Sequence, residues 1–140
     1  MRAVTFTVVV GIVASLAGCE SADPRRAVAE RFIDQLFVRI DQHAARELTT
    51  GLATSKIDEE IRLKAGQQID DSTRQPSVAY GLVQTSGDDA APTASLIYDL
   101  HVSPDGADTF TRRLVLTVRK DGDQWKVANY TLESPPVPGE

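Results

Sequence analysis

Leu114-Val115-Leu116-Thr117-Val118-Arg119-Lys120-Asp121-Gly122-Asp123-Gln124-Trp125-Lys126-Val127 is the stretch that decides the fold. On both sides of Asp121-Gly122 the apolar residues recur at every second position, the signature of half-buried strands. Asp-Gly at the centre favours a two-residue type I′ turn. The stretch therefore predicts a hairpin with Lys120 opposite Asp123, Val118 opposite Trp125 and Leu116 opposite Val127. Apolar side chains then meet apolar ones on one face, which is what specifies a register.

Upstream, the same period predicts strands over Val78–Thr85 and Thr93–Val102, ahead of Phe110–Arg119 and Gln124–Leu132, with turn residues between them. A loop at Pro104–Asp108 sets Val102 opposite Phe110 and Tyr98 opposite Leu114. The first hairpin sets Tyr80 opposite Tyr98 and Leu82 opposite Leu96. All three hairpins agree on one buried face: Val78, Tyr80, Leu82, Leu96, Tyr98, Leu100, Leu114, Leu116, Val118, Trp125 and Val127.

Before the strands the period is helical. Asp23-Pro24 suits a helix start, since Asp caps and Pro fits the first helical position. Val28, Phe32, Ile33, Leu36, Phe37 and Ile40 then share one face. A second short helix is expected over Gln42–Thr49, with Ala44, Ala45 and Leu48 inward and Thr50-Gly51 ending it. Ser55 followed by Asp58 predicts a cap for a third helix carrying Ile57, Ile61 and Ala65, stopped at Gly66. Gln67–Pro76 reads as a polar connector.

Helices followed by a four-strand meander predict an α+β fold, with N-terminal helices packed on a curved, cone-like antiparallel sheet. This order, with its amphipathic first helix and its Gly122-x-x-Trp125-x-Val127 ending, resembles the nuclear-transport-factor-2-like superfamily over residues 24–133. That superfamily includes ketosteroid isomerase, polyketide cyclases and many small bacterial lipoproteins. The resemblance implies a sheet wrapped round the first helix into a cone that is either hollow or filled. It transfers no catalytic residue: ketosteroid isomerase uses an Asp base with Tyr and protonated Asp donors, whereas the first helix here offers Phe32 and Phe37 and no Tyr.

The beginning of the chain carries a different message. From Ala3 to Gly18 there is no charge, and the apolar run Val4–Leu16 is followed by Leu16-Ala17-Gly18-Cys19, which looks like a bacterial lipobox. A run of about 13 residues fits a signal-peptide core and is short of the roughly 20 a membrane-spanning helix needs. The expected organisation is a lipoprotein signal peptide at 1–18, a lipidated Cys19 with a short tether at 19–23, one domain at 24–133 and a Pro-rich tail at 134–140. The anchor would be fatty acyl chains such as palmitate. Glu20 after the cysteine matches outer-membrane sorting, facing the periplasm, if the source is Gram-negative. The tether, reaching at most about 14 Å, would hold Arg25 and Arg26 near headgroup phosphates.

Composition narrows the chemistry. Cys19 is the one cysteine in the chain, so disulfides within the domain and thiolate metal sites are excluded. With Arg2 removed, 14 Lys and Arg stand against 20 Asp and Glu, a balance that argues against nucleic acid. His43 and His101 lack metal-ligand spacing, no phosphate loop or nucleophile elbow occurs, and no cofactor or metal is expected.

Asp99 and His101, two apart on one strand, are the catalytic candidates as an orienter and base pair. Their parity is opposite to Leu96, Tyr98 and Leu100, which points them away from the core. Tyr80, Tyr98, Trp125 and Asn129 are the candidate ligand-binding residues, and Cys19 the lipidation site. Three functions stay open. The first is a non-catalytic envelope module binding a protein or a small apolar ligand. The second is an isomerase, cyclase or hydratase using the cone. The third is a structural envelope component. A homodimer is compatible with each.

Overall fold

The computed structural model describes residues 23–66 and 76–134. The expected signal peptide and lipidation site Cys19, the connector 67–75 and the tail from 135 onward lie outside the described residues.

Helix α1 spans Pro24–Ile33. Asp23 caps it as expected, accepting from the Arg25 backbone N–H at 3.0 Å, with Pro24 in the first turn. The helix continues into a π-helical turn, Asp34–Val38, where the Arg39 N–H donates to the Asp34 carbonyl at 2.9 Å. Val28, Ala29, Phe32, Ile33 and Leu36 are buried, and Phe37 is partly so. The expected helical face stops short of Ile40, which sits at φ +56° beyond the helix.

Two expectations about the next helices are corrected. Helix α2 is only Gln42–Arg46, capped by the Asp41 carboxylate on the Ala44 N–H at 2.9 Å. Thr50-Gly51 does not end it but opens α3, Gly51–Lys64. Ser55 and Asp58 therefore lie inside α3 rather than at its cap, and Asp58 pairs with Arg46 to join α3 to α2. The reason is backbone pairing that local composition does not show. Leu48 and Thr50 bracket Val127, whose N–H donates to the Leu48 carbonyl at 2.8 Å and whose carbonyl accepts from the Thr50 N–H at 2.9 Å. That extended segment cuts the helical run in two. Gly66, at φ +89°, follows the end of α3 as a helix-stopping glycine should.

Strands β1 (Ser77–Ser86), β2 (Thr93–Ser103), β3 (Phe110–Asp121) and β4 (Gln124–Glu133) form one antiparallel sheet in the order β1-β2-β3-β4. The β2–β3 register is the expected one, with Tyr98 opposite Leu114 and Val102 opposite Phe110. The other two hairpins are shifted by two residues. Tyr80 faces Leu100 and Leu82 faces Tyr98, while Val118 faces Val127 and Lys120 faces Trp125. The β3–β4 turn residues are Gly122-Asp123, with Gly122 at φ +60°. A two-residue shift keeps every side chain on its face, so the predicted buried face survives although the pairs change.

Each outer strand also carries one extra residue, Val83 in β1 and Ala128 in β4. Such bulges bend the strand, and here they help curve the sheet around α1. The bulge at Ala128 reverses parity, so Tyr130 is buried three residues after Val127. Helix α1 lies in the concavity against β4, β2 and β3, and the π-helical turn lies against β1. The core is Phe32, Ile33, Ile57, Leu96, Tyr98, Leu100, Leu114, Leu116, Val118 and Val127, each at most 2 % exposed.

Candidate functional site

Helix α1 has two sides. Val28, Phe32 and Ile33 face the sheet. Asp23, Arg26, Ala27, Glu30, Asp34 and their neighbours Arg31 and Gln35 follow helical spacing on the other side. There they wall an open groove of about 670 Å³ whose opposite side is Tyr80 of β1. The groove exists because α1 packs over β2, β3 and β4, leaving β1 to border it.

Its charges are mostly matched internally. Arg26 Nε donates to Glu30 Oε1 at 2.6 Å across one helical turn, and Arg39 Nε lies 2.8 Å from Asp34 Oδ2. Asp23 is held by the buried Arg25 at 2.8 Å, whose hydrogen bonds keep its carboxyl below the ordinary carboxylate range. Among the described residues Arg31, which also lines a cleft between α1 and β4, is the groove cation with no ion pair.

Arg25 is an anchor rather than a ligand-binding group. Besides Asp23 it holds Asp89 at 2.8 Å and donates to the carbonyls of Gly87 and Asp88 at 3.4 Å, pinning the β1–β2 turn to the start of α1. It and Arg26 are therefore both engaged within the domain.

Against Tyr80 lies Tyr98, fully buried, with the two rings edge-on at 6.1 Å between centroids. The Tyr98 hydroxyl has no hydrogen-bond partner in the protein. Burial, reinforced by Glu30, pushes that hydroxyl's pKa well above the usual tyrosine value, and Tyr80 is raised by burial too. The Tyr98 hydroxyl stays protonated at neutral pH and so has a hydrogen to donate.

The structure thus brings together two of the four candidate ligand residues, Tyr80 and Tyr98. Trp125 is half-buried across α1 from them, beside Pro24, Arg25 and Asp89. Asn129 joins α3 to β4: its Oδ1 accepts from Lys56 Nζ at 2.8 Å and from the Tyr130 N–H at 2.9 Å. Asp99 and His101 sit on the convex face, and they do not bond each other. Asp99 takes Arg113 Nε at 3.0 Å, while His101 Nδ1 lies 3.1 Å from Thr111 Oγ1. Among the described residues no three His, Cys, Asp or Glu side chains cluster to hold a metal.

The groove residues of α1 were missed because a charged stripe on an amphipathic helix reads as solvent-facing. A second cleft of about 490 Å³ runs between α3 and β4, with Leu52 and Leu132 at its rim and the Tyr130 hydroxyl donating to Glu60 at 2.8 Å.

Helices in the concavity of a curved four-strand antiparallel sheet define the α+β cone fold of nuclear-transport-factor-2-like domains. One similar solved structure is described as a calcium/calmodulin-dependent protein kinase type II association domain of Thiobacillus denitrificans. It is 8 % identical with a TM-score of 0.60 over 79 % of this chain and 94 % of that one. Another, designated Rd1NTF2_05 and carrying substitutions, is 12 % identical with a TM-score of 0.55 over 79 % and 96 %. At these identities the likeness is one of fold. No protein-family model and no curated sequence matches the chain.

Proposed function

We propose that the chain is a lipid-anchored binding module of the bacterial envelope, working through the groove between α1 and β1. One observation carries the binding reading: an open groove is walled by α1 and Tyr80, and the ring of Tyr80 packs on the buried Tyr98, whose hydroxyl the protein leaves without a partner. Burying a hydroxyl unpaired costs about 1–3 kcal/mol, so such groups are kept where something else supplies the acceptor. The anchor reading rests on Leu16-Ala17-Gly18-Cys19 after the uncharged apolar run. The fold itself hosts many activities and does not select among them.

The test is photo-cross-linking in the source cells with a benzoylphenylalanine at Ala27, in the groove, and at His101, on the convex face. Binding in the groove gives a discrete adduct from Ala27 and none from His101. Adducts from neither position, or equally from both, would overturn the assignment.

A further inference from the structure

The two edges of the sheet are treated differently. The outer edge of β4 is closed by Leu48 and Thr50 at Val127, and Lys126 Nζ reaches the Glu47 carbonyl at 2.6 Å. Among the described residues nothing pairs with the outer edge of β1. Natural edge strands are protected by charges, prolines or bulges because their free N–H and C=O groups recruit other strands. β1 is Ser77-Val78-Ala79-Tyr80-Gly81-Leu82-Val83-Gln84-Thr85-Ser86, without one charge or proline. Its bulge at Val83 leaves Ser77–Leu82 as a regular open run. Tyr80 is at the middle of that run and also borders the groove.

Resting on the binding-module reading, we propose that the occupant is an extended segment of a partner polypeptide, added as a fifth strand along Ser77–Leu82. Main-chain hydrogen bonds to the edge supply affinity, and alternate side chains facing the concave side enter the groove. The groove sets their chemistry. Ala27 and Tyr80 offer apolar contact. Asp23, Glu30 and Asp34 are already matched by Arg25, Arg26 and Arg39, which leaves Arg31 to be met. The added strand therefore carries apolar residues at alternate positions and a carboxylate directed at Arg31.

The probe is a display library of random ten-residue segments, selected on the full chain in detergent micelles. Expected binders alternate apolar residues and contain Asp or Glu. They slow amide hydrogen exchange in Ser77–Leu82 at least tenfold. Their affinity falls at least tenfold in A79K/G81K, two exposed positions where a lysine guards the edge; no neighbour crowds a Cβ at Gly81. N-methylating alternate peptide residues, which leaves the protein untouched, abolishes binding. Arg31→Glu weakens the acidic binders tenfold, and exchanging their carboxylate for lysine restores them.

Four results would overturn the proposal: no enrichment, binding indifferent to N-methylation or to charge at position 31, protection of the α3–β4 cleft instead, or self-association of the chain through β1. An Ala27 adduct with a small molecule would keep the binding module and remove the strand. Absence of any Ala27 adduct removes the module itself.

Discussion

At the scale of single residues, Tyr98 and Tyr130 make an instructive pair. Both are buried aromatics of the core, and Tyr130 packs on Phe32 at 5.2 Å between centroids. Only Tyr130 has a partner for its hydroxyl, Glu60. Tyr130→Phe should cost about 1 kcal/mol of unfolding free energy, whereas Tyr98→Phe should be neutral or stabilising by about 1 kcal/mol. Paired urea titrations check this; equal losses would mean that the Tyr98 hydroxyl is satisfied. The chain has three tyrosines, and all three are shifted upward, Tyr130 and Tyr98 by burial above all. A raised pKa means that the folded state holds the proton more tightly, so stability is full below the ordinary tyrosine value of about 10 and falls as pH rises past it. Tyrosinate absorbance from Tyr98 and Tyr130 should therefore appear only well above that pH and coincide with unfolding. Ionisation of all three tyrosines in the folded chain at the ordinary value would contradict the burial of Tyr98 and Tyr130.

At the scale of elements, the strands were legible because period-two patterning and turn chemistry act locally. The buried face followed from parity, so it survived even where pairing was shifted by two residues. Nothing local distinguishes a register from one displaced by two, and nothing local announced the bulges at Val83 and Ala128. Tyr130 was missed for that reason: it enters the core only because Ala128 is extra. The groove was illegible for another reason, since it depends on where α1 lies across the sheet, and its polar stripe looks like any exposed helix face. One turn is tightly specified. Gly87 has φ +117°, and a Cβ there would sit 3.1 Å from the Thr93 carbonyl oxygen and 3.3 Å from the Ala94 Cα. Backbone cannot yield as a flexible side chain does. Gly87→Ala should destabilise by about 2 kcal/mol or more, and thermal melting would show it. A change near zero would mean that the Arg25-pinned turn is free to shift.

At the scale of the whole molecule, the fold has a polarity set by its ends. The β1–β2 and β3–β4 turns share one tip, since the Lys120 N–H donates to the Pro92 carbonyl at 2.8 Å, and Arg25 holds Asp23 at the same tip through Asp89. Asp23 and Asp89 meet there on Arg25, beside Asp88, and the β3–β4 turn brings Asp121 and Asp123. Only Glu20, Ser21 and Ala22 separate this tip from Cys19. Each charge near an anionic membrane surface is worth about 1 kcal/mol, favourable for cations and unfavourable for carboxylates. The domain itself should therefore have no affinity for lipid. A chain of residues 20–140, without the apolar leader, should stay in the supernatant when sedimented with phosphatidylglycerol vesicles at physiological salt; salt-sensitive pelleting would show that the tip grips the bilayer directly.

That the domain works from a lipid anchor is tested most directly by the intact mass of the protein purified from membranes of its source. The expected mass is that of a chain beginning at Cys19 and carrying fatty acyl chains, whereas Cys19→Ala leaves an unprocessed or soluble protein without them. A membrane-bound chain that still begins at Met1, or one cleaved elsewhere without acylation, would contradict it.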